Sequence, residues 1–292
     1  MAGAVTRRFL PLCFLSLASA CQLPSTSDDE RLSSALEVLA CREVSLTSDV
    51  CPGVAERQVA LSHVLAETGP DANLRELNLR DLDLTRLDLT GANLRDADLR
   101  TANLQGADLS GANLSGANLS HARLRDGVFR GAKLDYTDLR DADLSDANLR
   151  GFLRGALLAG ASLVVADLRT ADLTGAVLTR ADLSSALLQQ AKLERANLAD
   201  ARLDNADFWG ANLSGADLRR ASVAGIRLEA ANANRKTKWP EGLDISEVQF
   251  PCRFQAPSAR RVVREDGTED CVMVVRDCSD PAEHLPCRDE PD

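Results

Sequence analysis

Aromatic residues make up only 3% of this 292-residue chain, with one Tyr, two Trp and seven Phe. Any core must therefore be aliphatic. Histidine is scarce as well: His63, His121 and His284 stand in three separate segments, each reading as a surface residue and not as a base. There is no Gly-x-Ser-x-Gly elbow, no phosphate-binding loop and no His-Glu-x-x-His pair, so the usual hydrolase, nucleotide and zinc-protease signatures are excluded. Cysteine is missing from the whole of residues 72–230, and no Cys-x-x-Cys pair stands elsewhere, which argues against a zinc site. The apolar run Phe9–Ala20 is too short to span a bilayer. These gaps leave no catalytic residue, no metal ligand, no cofactor and no small-molecule substrate to expect, and the chain reads as a non-enzyme.

What fills residues 72–230 is a leucine every five residues behind an alanine, as in Ala92-Asn93-Leu94-Arg95-Asp96 and Ala97-Asp98-Leu99-Arg100-Thr101. The centres run from Leu74 to Leu149 in one phase and from Leu153 to Leu228 in a second, 32 units in all. A step of five on an α-helix advances about 140° beyond a full turn, so no stripe forms. In a continuous strand an odd period sends successive leucines to opposite faces. The chain must turn once per unit. Ala and Leu then share the inner face, the Asp or Asn between them faces out, and the last two residues make the corner. An outward calcium ladder lacks its glycine-rich nonapeptide and is not expected.

Tandem Ala-Asp/Asn-Leu-x-x resembles the pentapeptide-repeat family. The resemblance implies an all-β repeat, a right-handed quadrilateral β-helix, which 32 units make about eight coils long; the residues on either side of it read as a small N-terminal helical cap and a cysteine-rich C-terminal tail. Eight coils at the inter-strand spacing make a rod roughly 35–40 Å long. Thr237-Lys238-Trp239-Pro240-Glu241-Gly242 resembles the closure that follows such tracts, with Trp239 over the last coil. Some members of the family mimic duplex DNA and occupy DNA gyrase. That mimicry needs a strongly negative rod. Residues 72–230 carry 22 acidic and 20 basic groups, although the whole chain has a net charge of −10. A nucleic-acid role is therefore not expected.

The chain divides into an export signal (1–21), a tether and helical segment (22–71), the repeats (72–230) and a closing segment with a disulfide-rich tail (231–292). Ala18-Ser19-Ala20-Cys21 resembles a bacterial lipobox, with Cys21 as the lipid-attachment residue; cleavage after Ala18-x-Ala20 with plain secretion is the alternative. The resemblance implies a membrane contact through the N-terminal lipid, in the cell envelope and at the outer membrane. Apolar spacing predicts helices over Asp29–Cys41 and Pro52–Glu67, ended by Gly69-Pro70. Leu77, Leu82 and Leu87 make the first coil greasier than the rest. Strands are expected at Arg261–Glu265 and Cys271–Arg276 around Asp266-Gly267. Six cysteines, Cys41, Cys51, Cys252, Cys271, Cys278 and Cys287, suit disulfides in an exported chain. Cys41 pairs most simply with Cys51, and the other four allow three pairings.

One residue is missing at Arg150-Gly151-Phe152-Leu153, where the two phases meet. Beyond it, four units per coil would place Leu157 and Val177 at equivalent outward positions, with Val164 and Val165 at the next corner, a candidate patch for a protein partner or self-association. On another side, Trp209 would lie near Leu187. The function expected is a lipid-anchored envelope rod for protein contact or spacing, with the gyrase-binding DNA mimic as the alternative.

Overall fold

The computed structural model describes residues 28–41 and 52–243, together with the backbone of two strands at 259–263 and 269–273. Each outward residue of the repeats pairs in parallel with the one twenty places on: Asn73 with Asn93, Asn78 with Asp98, Asp83 with Asn103, Asp88 with Asp108. Twenty residues are four units, so each coil has four sides. The first side carries Asn73 to Asn212, the second Asn78 to Asp217, the third Asp83 to Ser222 and the fourth Asp88 to Arg227. Inside, the leucines from Leu89 to Leu218 and the alanines beside them are essentially sealed from solvent, with Phe129 and Phe208 as the largest buried side chains.

The five-residue unit closes its own hydrogen-bond account. In the unit Ala97–Thr101, Asp98 donates its amide to Leu77 O below (2.9 Å) and Leu99 to Asn118 O above (2.7 Å). Thr101 N donates to Ser120 O above (3.1 Å), and Ala97 N closes the preceding turn on Leu94 O (3.2 Å). Only the first corner amide, Arg100 N, finds no backbone acceptor, and Asp98 Oδ1 takes it at 3.2 Å. The same bond recurs at Asp88, Asn118, Asp143, Asp182 and Asp217. Asp and Asn hold the outward place because their side-chain oxygen reaches the amide two residues on. The second corner residue has positive φ at every corner from Glu76 to Ala230 except that at Arg150.

At that exception the turn is one residue shorter. Gly151 N donates to Leu149 O at 2.8 Å, an i to i+2 bond, where the other corners close i to i+3. Pairing shifts to nineteen for one coil, from Lys133–Phe152 to Asn148–Asp167, and returns to twenty at Phe152–Asp172. The shortened corner draws the coils together at Gly151, where a Cβ would stand 2.6 Å from Ala132 O and 3.2 Å from Phe129 O.

The ladder does not stop at residue 230. Asn212 pairs with Asn232 and Asp217 with Lys238, the last across twenty-one residues. Two sides of a further coil are thus built from the closing segment, with Thr237 buried at the alanine place, its hydroxyl on Leu213 O (2.9 Å), and Trp239 packed on the core.

At the other end, α1 (Asp28–Ala40) and α2 (Val54–Thr68) pack on each other and on the first coil. Helix α2 starts two residues after Pro52, behind Gly53 as N-cap, and Gly69 at φ 67° ends it by donating to Leu65 O. Leu39, Leu61 and Val64 are buried with Leu77 and Leu82, which explains why leucine stands where later coils need only alanine. Where a preceding coil would offer a backbone carbonyl, Leu39 O accepts Asn78 N at 2.6 Å. Gln58 copies a strand with its side-chain amide, donating to Asp83 O (2.8 Å) and accepting from Asp83 N (2.9 Å). No helix among the described residues is long and apolar enough to cross a membrane.

The C-terminal hairpin pairs β1 (Ala259–Val263) with β2 (Glu269–Met273), antiparallel. Its strands lie about two residues earlier than the alternation suggests, because pairing is symmetric about Asp266, with Val263 opposite Glu269.

Candidate interaction surface

At four units of the rod an arginine is neutralised by the aspartate of its own unit. Arg140 lays its guanidinium across Asp138 at 2.9 and 2.6 Å, two residues away on the same corner. Arg100, Arg169 and Arg219 repeat the arrangement on Asp98, Asp167 and Asp217. The Arg140 and Arg219 side chains hold the carboxyls of Asp138 and Asp217 below the usual carboxylate range, against a smaller upward push from burial. The acids at these four places therefore come already paired, which interrupts negative charge along the second and fourth sides.

The apolar exceptions are few. Leu157 and Val177 are bonded neighbours on the second side, as expected. Val164 and Val165 do not join them. The corner after Leu157 is Ala159-Gly160, and Val164-Val165 lies one corner further, with Ser162 and the third side between. What does join Leu157 is Phe152, at the outward place of the preceding side, and Tyr136 at the corner one coil below. The Tyr136 ring lies over Gly155, where an added Cβ would stand 2.7 Å from it. Tyr136 and Phe152 are 74% and 44% exposed, so the patch wraps the corner between the first and second sides with aromatic carbon outward. The neighbourhood of Phe152 and Tyr136 becomes visible in the sequence only after the nineteen-residue step is applied to residues 133–152.

This patch gives up part of the unit's bonding. Leucine and valine cannot accept the first corner amide as Asp does. At Phe152 a substitute exists, since Asp135 Oδ1 of the coil below takes Arg154 N at 3.1 Å. Away from the patch, Val165 is a β-branched residue at φ 61°, half exposed. Trp209 stands at the corner following the fourth side, above Gln190, whose amide donates to Trp209 O (2.8 Å), and Leu187 pairs with Asp207 beside it.

His63 lies exposed on α2 and His121 at a corner on the second side, so no histidine pair forms between them. His284, Cys21, Cys51, Cys252, Cys278 and Cys287 fall outside the described residues, and of Cys271 only the backbone, opposite Arg261, is described. Cys41 follows α1 and its carbonyl accepts Asn78 Nδ2 at 2.8 Å. Among the described residues no group of three His, Cys, Asp or Glu is placed to hold a metal ion. An open hollow of about 350 Å³ lies between α1 and the first coil, lined by Ser33, Leu36, Glu37, Asn73 and Arg75.

Pentapeptide repeats match the chain in eight copies over residues 71–106, 112–151, 153–190 and 181–220. No curated protein matches. HetL, a pentapeptide repeat protein of heterocyst differentiation regulation from the cyanobacterium Nostoc, is 32% identical over 55% of this chain and 82% of its own, with a TM-score of 0.36. A pentapeptide repeat protein of the Arabidopsis thaliana thylakoid lumen is 30% identical over 40% and 68%, with a TM-score of 0.24. QnrB1, a plasmid-mediated fluoroquinolone resistance protein, is 22% identical over 52% and 87%, with a TM-score of 0.36. The chain belongs to the pentapeptide-repeat family, whose members form right-handed four-sided β-helices.

Proposed function

We propose that this protein is a non-enzymatic, lipid-anchored envelope rod that presents its β-helix for protein contact. The observation that carries the reading is the exposed Tyr136–Phe152–Leu157 patch, continued by half-buried Val177, set on a rod whose other outward places are mostly Asp and Asn satisfying the backbone. Contiguous exposed apolar surface on an otherwise polar protein marks an interaction site. The helical pair is read as a cap that closes the first coil, because repeat arrays need covered ends. Anchoring rests on the apolar run that ends at Cys21, and the disulfide reading draws support from Cys41, which is disulfide-bonded. Gyrase mimicry is the less favoured reading: the arginines that neutralise Asp98, Asp138, Asp167 and Asp217 remove the negative stripe it requires.

Two experiments test the two halves of this proposal. With Cys21→Ser, the protein should leave the membrane fraction and lose labelling by a fatty-acid analogue; a mutant that stays with membranes rules the anchor out. Leu157→Asp with Val177→Asp should abolish crosslinking to a partner or to a second copy in intact cells. Because Asp at these places can accept the first corner amide, the same variant should be slightly more stable, by about 0.5–1 kcal/mol per site. Unfolding of the double mutant, or crosslinks that persist unchanged, would remove the patch from the account.

A further inference from the structure

We propose that the edge between the fourth and first sides binds a linear anionic polysaccharide. The first corner residues stacked along this edge are, coil by coil, Thr90, Ser110, Arg130, Arg150, Arg169, Gln189, Trp209 and Glu229. Three arginines on consecutive coils repeat at the strand spacing of about 4.8 Å, close to the length of one sugar ring in an extended chain. Lys133 and Lys192 stand at outward places on the adjoining first side, with Phe152 and Asp172 between them.

These cations differ from most of the others on the rod. Most arginines elsewhere on the rod are paired with an Asp or Glu, Arg86, Arg95, Arg123, Arg180 and Arg195 excepted, and no carboxylate among the described residues forms a salt bridge with Arg130, Lys133, Arg150 or Lys192. Between Arg130 and Lys192 the acids on the edge are Asp167 and Asp172, engaged by Arg169 and Arg154, while Asp88 and Asp108 lie on the coils before this stretch and Asp207 and Glu229 on those after it. Over these coils five cations, Arg130, Lys133, Arg150, Arg169 and Lys192, face the two carboxylates Asp167 and Asp172, so a locally positive stretch persists on a chain of net charge −10, where general repulsion of polyanions would otherwise be expected.

The rest of the edge selects sugar over other polyanions. Phe152 and Trp209 are exposed, 44% and 42%, and offer flat faces for a ring near each end of the strip. Gln189 lies beside Trp209 with its Nε2 on Asp207 (2.8 Å), which keeps a neutral polar side chain between the arginines and the Trp209 ring. Single-stranded nucleic acid would want successive stacking platforms, and two aromatics three coils apart do not supply them.

The test is a titration of the full exported chain with polygalacturonate and with heparin, against neutral dextran and single-stranded DNA. Binding to both charged glycans, falling with salt, is expected, and none to dextran. Arg130→Glu with Arg150→Glu should weaken it at least about tenfold. Arg86→Glu with Arg180→Glu, the same charge change on other corners, should weaken it less than about twofold. Lys133→Glu with Lys192→Glu leaves the corner backbone untouched and should match the arginine pair, which keeps the test valid if the Arg150 corner proves sensitive. Trp209→Ala should weaken binding without altering its salt dependence. Equal losses in the edge and control variants, no glycan binding by the parent protein, or equally tight DNA binding with the same variant pattern would each overturn the proposal.

Discussion

Gly151→Ala should destabilise the rod by about 3 kcal/mol, the upper end of what overpacking one methyl costs. The position is the alanine place of its unit, where 25 of 32 units carry Ala, so a pattern-based reading would take the change for an improvement. The geometry says otherwise. The shortened corner closes on Leu149 O and brings the backbone of the coil below against Gly151, with Ala132 O 2.6 Å and Ala132 N 3.3 Å from a would-be Cβ. Those atoms belong to a hydrogen-bonded ladder, Phe152 N donating to Ala132 O at 3.0 Å, and cannot swing aside as a side chain would. The comparison that isolates this effect is Gly131→Ala, at an ordinary corner with φ 68° and nothing within 4 Å of its Cβ, which should cost only the left-handed strain of about 1 kcal/mol. Chemical denaturation of both variants decides it. If Gly151→Ala is no worse than Gly131→Ala, the short corner can open and the break is a soft joint.

The period of five is written in the sequence because interior leucine and alanine have no substitute at that spacing, and turning once per unit follows from it. The number of sides is not written there: any small number of corners could close a coil, and only the twenty-residue pairing of Asn73 with Asn93 fixes four. The outward Asp and Asn are visible as a row, but their purpose depends on which amide the backbone leaves over, and that is Arg100 N and its equivalents. The site was half legible for the same reason. Leu157 and Val177 follow from counting in twenties, whereas Tyr136 and Phe152 join them through the nineteen-residue step and a ring that leans on Gly155. Val164 and Val165 fell out because adjacency around a four-sided coil skips a whole side between alternate corners. The β1–β2 register shifted because alternation marks strand character, while the turn sets which residues meet.

Arg57→Ala with Gln58→Ala should release the helical pair from the first coil and turn the rod into an end-on self-associating species. Arg57 is buried to 6% exposure, and its NH1 donates to Asn78 Oδ1 (2.9 Å), Asn78 O (3.3 Å) and Arg80 O (2.9 Å). Gln58 supplies both partners that the Asp83 backbone would have had from a preceding coil. A hydrogen bond to a charged group contributes about 1.5–3 kcal/mol, so truncating both side chains should cost about 3 kcal/mol of docking even after water refills part of the space. The leucines of the later coils keep every contact, so the β-helix itself should stay folded. What appears instead is an open parallel edge at Asn78 and Asp83, with unpaired amides and the apolar Leu77 and Leu82 beneath them, and such edges recruit other edges. Native-state hydrogen exchange should show the Asn78 and Asp83 amides exchanging about a hundredfold faster, as expected for a loss near 3 kcal/mol, while the Asp98 amide, bonded to Leu77 O one coil in, stays protected. Size-exclusion chromatography should show dimers or longer species rising with concentration. A variant that remains monomeric with Asn78 and Asp83 fully protected would mean that apolar packing of Leu39, Leu61 and Val64 holds the helices in place without these polar contacts.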